Sequence, residues 1–422
     1  MADYRRRIID DELDEVFGAL AAISIDGPKG VGKTATGARR AATIVPLDDP
    51  SRAEELAADP GFLDRAAKPL LLDEWQRLPR VWDLVRRAVD RDGTGGQFLL
   101  AGSAAPITAP THSGAGRITS LRMRPLSIAE RVHQEPTVSL LALLKGHPKI
   151  SGQSDWTLPD YVREIVSSGF PGIRNLSDRA RRLALDGYVT RIVDRDMAEQ
   201  GYRVRAPAAL RNWLRAYALA TASTASYTRI LDAATVGDAD KPSRPTTIAY
   251  RDVLTQLWLL DPVPAWRPFG IDLGRLSKAP KHHLADPALA ARLMDLDEDA
   301  LLAVGGHSML GAQPGAALGR LFESLVSLSM QTYAQAAEAR LWHFRDQPGL
   351  HEVDLIIEAR NRVVAVEVKL SASVNDDDVK HLRWLQKRLQ DRLADAVVIT
   401  SGQSAYRRAD GIAVVPLALL GP

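Results

Sequence analysis

The stretch Asp26-Gly27-Pro28-Lys29-Gly30-Val31-Gly32-Lys33-Thr34 sets one glycine, four residues, then Gly-Lys-Thr. That spacing belongs to a loop that wraps phosphate groups in backbone N–H donors. Its flanks fit the same reading. Residues 21–25 form a short apolar run that reads as a buried strand, and residues 35–42 read as a helix. The helix N-terminus adds partial positive charge at the loop. Gly27, Pro28, Lys29, Gly30, Val31, Gly32, Lys33 and Thr34 are then the nucleotide-binding residues. Lys33 would reach the β- and γ-phosphates and Thr34 would hold Mg²⁺ through its hydroxyl.

A second acidic element follows about 40 residues later, where Leu70-Leu71-Leu72 ends in Asp73-Glu74. Asp73 would bind Mg²⁺ and Glu74 would polarise an attacking water, which completes a nucleotide-hydrolysis site. Four apolar strand candidates, residues 21–25, 42–47, 69–72 and 97–101, alternate with helical segments. This alternation predicts a parallel sheet covered by helices. The fourth strand ends in Gly102-Ser103. Ser103 is expected between the other two strand tips, as a sensor of the terminal phosphate or the attacking water. Arg117, in Ser113-Gly114-Ala115-Gly116-Arg117, is a candidate arginine finger acting in its own subunit or a neighbour's. A solvent-exposed loop arginine is the commoner fate of such a residue.

A second constellation lies near the C-terminus. Residues 352–358 and 362–369 read as a hairpin around Arg360-Asn361. Pairing Ala359 with Arg362 sets Asp354 opposite Glu367. Alternation then places Val353, Leu355, Ile357, Val364, Val366 and Val368 on an apolar face, and Asp354, Glu367 and Lys369 on the other. Two carboxylates set opposite repel unless a cation lies between them. An Asp followed by Glu-x-Lys on the next strand is the arrangement of metal-dependent nucleases of the restriction-endonuclease type. Asp354 and Glu367 would ligate Mg²⁺, Lys369 would act on the attacking water, and Glu323, on a helix over residues 314–337, would add a carboxylate. A helix over 379–393 and a buried strand over 396–399 complete an α-β-β-β-α-β order. The bland alternative is a hairpin with a solvated, charged outer face. His282 and His283 are adjacent, would point apart on a strand, and read as structural.

A resemblance now becomes visible. Asp73-Glu74-Trp75-Gln76-Arg77-Leu78-Pro79, Leu100-Ala101-Gly102-Ser103-Ala104, Gly116-Arg117 and Arg124-Pro125-Leu126-Ser127 resemble the AAA-type ATPase domain of a large family of uncharacterised bacterial and archaeal proteins. Trp75 departs from the aliphatic residue usual in its slot. Further on, Gly319-Arg320-Leu321-Phe322-Glu323-Ser324-Leu325-Val326, together with Asp354 and Glu367-Val368-Lys369, look like that family's C-terminal domain. That domain is itself related to restriction-endonuclease-like PD-(D/E)XK nucleases. The stretch Lys281-His282-His283-Leu284-Ala285-Asp286-Pro287 also matches the family. In it the segment 206–270 resembles a winged helix-turn-helix, with helices near 227–231 and 246–254 and a wing made by 257–260 and 263–266. The resemblance would turn Thr247, Tyr250 and Arg251 toward DNA. Winged helices also serve as protein-contact modules.

The bulk numbers suit these readings. At 422 residues the chain is long enough for about three domains. Apolar content of 45% and charged content of 25% are those of a globular protein. Net charge is only +2, so no global field marks a nucleic-acid protein. The absence of cysteine excludes disulfides and thiolate metal sites and fits a reducing cytoplasm. No apolar run approaches the roughly 20 residues needed to cross a bilayer, and no signal-like segment opens the chain. The arginines of 155–201 are interleaved with aspartates, as on a solvated helix face. The expected fold is multidomain α/β. Residues 1–135 form the ATPase core, 136–205 a helical connector, 206–270 a candidate winged helix and 271–422 the nuclease-like domain. The expected function is Mg²⁺-dependent binding and hydrolysis of ATP coupled to a nuclease-like domain acting on DNA, in a cytoplasmic protein that is a candidate homo-oligomer. The alternative is a nucleotide-controlled DNA- or protein-binding switch without nuclease activity.

Overall fold

A strand buried on both faces is written as a continuous apolar run, and a half-buried strand alternates. Leu70, Leu71 and Leu72 follow the first rule and are fully buried in β3 (Leu70–Asp73). The same holds for Ile23 and Ile25 in β1 (Ala22–Asp26) and Leu99 and Leu100 in β4 (Phe98–Gly102). With β2 (Thr43–Pro46) and β5 (Ile118–Arg122) they make a five-stranded parallel sheet ordered β2-β3-β4-β1-β5. The computed structural model describes residues 4–104, 114–131, 135–235, 242–267, 279–303, 314–346 and 349–422. Ser113 and residues 236–241 of the linker before the third mid-chain helix lie outside them. β5 carries no apolar run, because it is a short edge strand with exposed positions, and sequence reading did not supply it.

The chain divides into two compact units. The first holds this sheet and comprises Met1–Arg124, Arg191–Arg205 and Ile248–Leu259. Its helix Arg80–Arg91 turns Val81, Trp82, Val85 and Ala88 inward, at the spacing of one helix face. Trp82 packs against Trp75, just past β3, with ring centroids 4.8 Å apart and planes tilted by 32°. Residues 192–196 form a π-helical turn whose Ile192 and Val193 are buried.

The second unit comprises Pro125–Thr190, Ala206–Thr247 and Leu260–Pro422. Its two-stranded sheet joins β6 (Val138–Ser139) to β14 (Leu420–Gly421). Its larger, mixed sheet is ordered β7-β12-β13-β11-β10-β9-β8. These strands are β7 (Gly152–Gln153), β8 (Arg340–Arg345), β9 (Glu352–Ala359), β10 (Arg362–Lys369), β11 (Leu393–Thr400), β12 (Ser404–Arg407) and β13 (Ala413–Pro416). Helix Pro314–Ala336 precedes β8 and helix Lys380–Leu389 follows β10, so the α-β-β-β-α-β order is present, continued by three more strands. The hairpin has the expected register, Arg362 opposite Ala359 and Val366 opposite Leu355. Its second face is not simply charged. Ile356, Val363 and Ala365 pack with Leu382 and Leu385 of the later helix, because the sheet is covered on both sides.

The middle of the chain departs from the expected wing. Helices Tyr227–Ala233 and Arg244–Gln256 form, but 257–260 and 263–266 do not pair with each other. Instead Leu260 bridges Leu284, Val263 bridges Lys281 and Ala265 bridges His343. Trp258, at φ 60°, turns the chain away from a hairpin path. Thr247 and Tyr250 are buried and not on an open reading face, and Arg251 pairs with Asp252 at 2.9 Å. Among the described residues no helix is long and apolar enough to cross a membrane.

Candidate functional sites

The phosphate loop leaves the tip of β1 and enters helix Lys33–Ala38. Its glycines answer to geometry. Gly30 and Gly32 have φ of 82° and 106°, in the left-handed region that side chains disfavour. A Cβ on Gly27 would lie 2.1 Å from the Met123 carbonyl oxygen. The loop is held from behind by Arg7, a buried residue that sequence reading passed over. Its guanidinium donates to Val31 O at 2.8 Å and Arg124 O at 2.7 Å.

Lys33 folds over the loop and donates to Gly27 O at 2.8 Å and Pro28 O at 2.9 Å. Burial pulls its ammonium down to about 8, against the opposing charges of Glu74, Asp73 and Asp26. Thr34 donates to both Asp73 oxygens, at 2.9 and 3.0 Å. Burial raises the Asp73 carboxyl above its ordinary value, and the Thr34 bond works against that rise. A hydroxyl and a carboxylate in contact beside a phosphate loop are hard oxygen donors, the set that suits Mg²⁺.

Because β4 lies between β1 and β3, its tip falls between the loop and the acidic pair. Ser103 is buried there and donates to Glu74 Oε2 at 2.8 Å. Gln76 donates to the same Glu74 oxygen and, at 3.0 Å, to Ser103 Oγ. Glu74 itself sits at φ 52°, a conformation held only where surroundings demand it. Gln76 stood in the sequence two residues after Glu74 without a role; its contacts make it the clamp on that carboxylate. Arg117 is not brought to this cluster. It is half exposed and pairs with Asp90 at 2.8 Å.

In the second unit the carboxylates converge on a cation belonging to the chain. The Lys281 ammonium lies 2.7 Å from Glu323 Oε1 and 3.0 Å from Asp354 Oδ1, with Glu352 at 3.9 Å, and is 1% exposed. Burial opposes its charge, but Asp354 and Glu323 more than offset this and hold it above the ordinary lysine value. Asp354 also accepts from Val368 N at 3.0 Å. Burial pushes the Glu367 carboxyl well above its ordinary value, and the neighbouring Asp354 charge and hydrogen bond push the same way. Its Oε1 is buried with no hydrogen-bond partner among the described residues. Lys369 is 3.9 Å from Glu367. As arranged, Glu323 and Asp354 do not share a Mg²⁺ site, since the Lys281 ammonium fills the place between them. Among the described residues no group of three or more His, Asp or Glu side chains is set to hold a metal ion. His283 is buried neutral, its imidazole pulled down to about 3 by burial and by the Lys281 charge. His282 Nε2 lies 2.8 Å from Ala225 O. Lys281 was legible only as the neighbour of two conspicuous histidines.

Three family descriptions match parts of the chain. Residues 20–132 match an AAA domain, 158–300 a domain of unknown function (DUF8612) and 318–420 a second domain of unknown function (DUF4143). Two uncharacterised proteins, from Mycobacterium bovis and Mycobacterium tuberculosis, are each 26% identical over 421 residues, covering 97% of this chain and 83% of theirs. A solved Walker-type ATPase of Pyrococcus abyssi aligns with a TM-score of 0.40 at 16% identity, over 69% of this chain and 96% of that one. The C-terminal match is to a domain without a stated activity, so it brings no nuclease relation. The phosphate loop, its Thr34–Asp73 contact and the AAA-domain match together support a P-loop ATPase of the AAA type.

Proposed function

We propose that this protein binds ATP with Mg²⁺ at Gly27–Thr34 and hydrolyses it, with Glu74 as the group that orients and activates the attacking water. The observation that carries the reading is the Thr34–Asp73 contact at 2.9 Å, which joins two motifs 39 residues apart. Lys33 exchanges its two loop carbonyls for phosphate oxygens. Thr34 and Asp73 hold Mg²⁺, which when bound neutralises charge on the terminal phosphates. Ser103 and Gln76 fix the Glu74 carboxylate. Lys33→Ala is expected to lose nucleotide binding, and Glu74→Gln to bind ATP while hydrolysis falls by roughly 10²–10⁴-fold. Titration of a fluorescent ATP analogue and phosphate release measure the two. Unchanged affinity in Lys33→Ala would sink the assignment.

A second part of the reading concerns the C-terminal unit. The Lys281 ammonium between Glu323 and Asp354 weighs against metal-dependent DNA cleavage there and leaves the nucleotide-controlled binding switch as the reading of this unit. Cleavage of plasmid DNA with Mg²⁺ or Mn²⁺, lost in Glu367→Ala, would restore the nuclease reading.

A further inference from the structure

The phosphate loop contains two lysines, and they are held differently. Lys33 rests on neutral carbonyl oxygens of its own loop. Lys29 rests on acids, with Asp196 Oδ1 at 2.6 Å and Glu199 Oε2 at 3.6 Å. Glu199 also takes Arg77 at 3.0 Å and Arg195 at 2.7 Å. Arg77 lies one residue beyond Gln76, the clamp on Glu74. All belong to the first unit.

Acids placed against a phosphate loop oppose a polyphosphate, so their burial there requires a reason. The Asp196 side chain is only 5% exposed. It sits on the π-helical turn at residues 192–196, an irregularity that recurs at functional sites. Buried Ile192, Val193 and Met197 fix that turn. A cavity of about 320 Å³ opens between the two sides, lined by Lys29, Arg77, Gln76 and Ser103 against Asp196 and Glu199. Ser103 and Gln76 are the residues that hold Glu74, so this is the side of the loop on which the attacked phosphate must lie.

We infer that Lys29 and Arg77 form a subsite for the terminal phosphate of a nucleoside triphosphate, with Asp196 and Glu199 as internal anions that this phosphate displaces. The inference rests on the nucleotide-binding reading and adds a basis for selecting triphosphate over diphosphate. A diphosphate engages Lys33, whose present partners are neutral and easily exchanged. Only a third phosphate brings enough charge to compete with two carboxylates for Lys29 and Arg77.

The test is equilibrium titration of the full chain with fluorescent ADP and a non-hydrolysable fluorescent ATP analogue. Asp196→Asn is expected to tighten the triphosphate by about tenfold, the scale of one charge-assisted contact, and to leave the diphosphate within about twofold. Lys29→Ala is expected to bring triphosphate affinity down to that of the diphosphate. Glu199→Gln, at a more exposed position, is expected to act like Asp196→Asn in weaker form, and serves if the buried substitution unfolds the chain. Equal shifts for both nucleotides, or an unchanged triphosphate-to-diphosphate ratio in Lys29→Ala, would overturn the inference while nucleotide binding stands. Failure of the unaltered protein to bind either nucleotide would overturn the ATPase reading itself.

Discussion

Replacing Lys281 by Met tests whether the C-terminal carboxylates depend on this chain's own cation. Met keeps most of the lysine's length and apolar stem, so packing changes little. What is removed is the ammonium within 2.7 Å of Glu323 and 3.0 Å of Asp354. Removing one partner of a buried ion pair leaves uncompensated charge and costs about 3–5 kcal/mol. Two anions left facing each other would place the loss toward the upper end, until one takes up a proton. In a unit of this size the shift should be on the order of 10 °C in the melting transition that reports on the second unit. Scanning calorimetry with and without a nucleotide that marks the first unit separates the two transitions. The pH dependence adds a second check. Burial and the Asp354 charge already raise the Glu323 carboxyl to about 8 beside Lys281. In Lys281→Met it rises further, so the folded state binds the extra proton and stability falls as pH rises through that pKa. The variant should therefore lie closer to the unaltered protein at pH 5 than at pH 8, and Glu323→Gln should rescue it at pH 8. Rescue by millimolar Mg²⁺ instead would mean that a divalent ion takes the ammonium's place. A melting transition unchanged by Lys281→Met at pH 8 would refute the reasoning.

Glu367→Gln copies the protonated form of a carboxyl whose folded pKa burial and Asp354 hold well above its ordinary 4.5. With the folded pKa raised, the unaltered protein loses stability as pH climbs from about 4.5 upward. The variant should melt higher than the unaltered protein at pH 8 and alike at pH 4, and a melting point lower at pH 8 would contradict a protonated Glu367. Gly27→Ala drives a methyl to 2.1 Å from the Met123 carbonyl oxygen, a backbone atom with no flexible route away. It should abolish nucleotide binding and lower the melting point of the first unit, and wild-type affinity measured by nucleotide titration would show that the loop is looser than its contacts imply.

The parts legible in the sequence are those governed by local rules. Strands β1, β3 and β4 are short runs buried on both faces, and Gly27 to Thr34 is dictated by backbone conformation and close approach. The hairpin register followed from its two-residue turn at Arg360-Asn361, both of which adopt positive φ. What escaped is set by approach over long separations. Arg7 reaches Val31 and Arg124, Asp196 meets Lys29 across 167 residues, and Lys281 joins Glu323 and Asp354 across 42 and 73. No propensity or period encodes such meetings. They also explain why one kind of motif held more of its meaning than the other. A phosphate loop carries its donors in its own backbone, so the sequence that builds it also states its chemistry. A carboxylate cluster carries only charge, and its chemistry depends on which cation the fold brings to it. In this chain Lys281, from 42 and 73 residues away, pairs with Glu323 and Asp354, so two of the acids expected to cradle a metal stand instead in an ion-paired core.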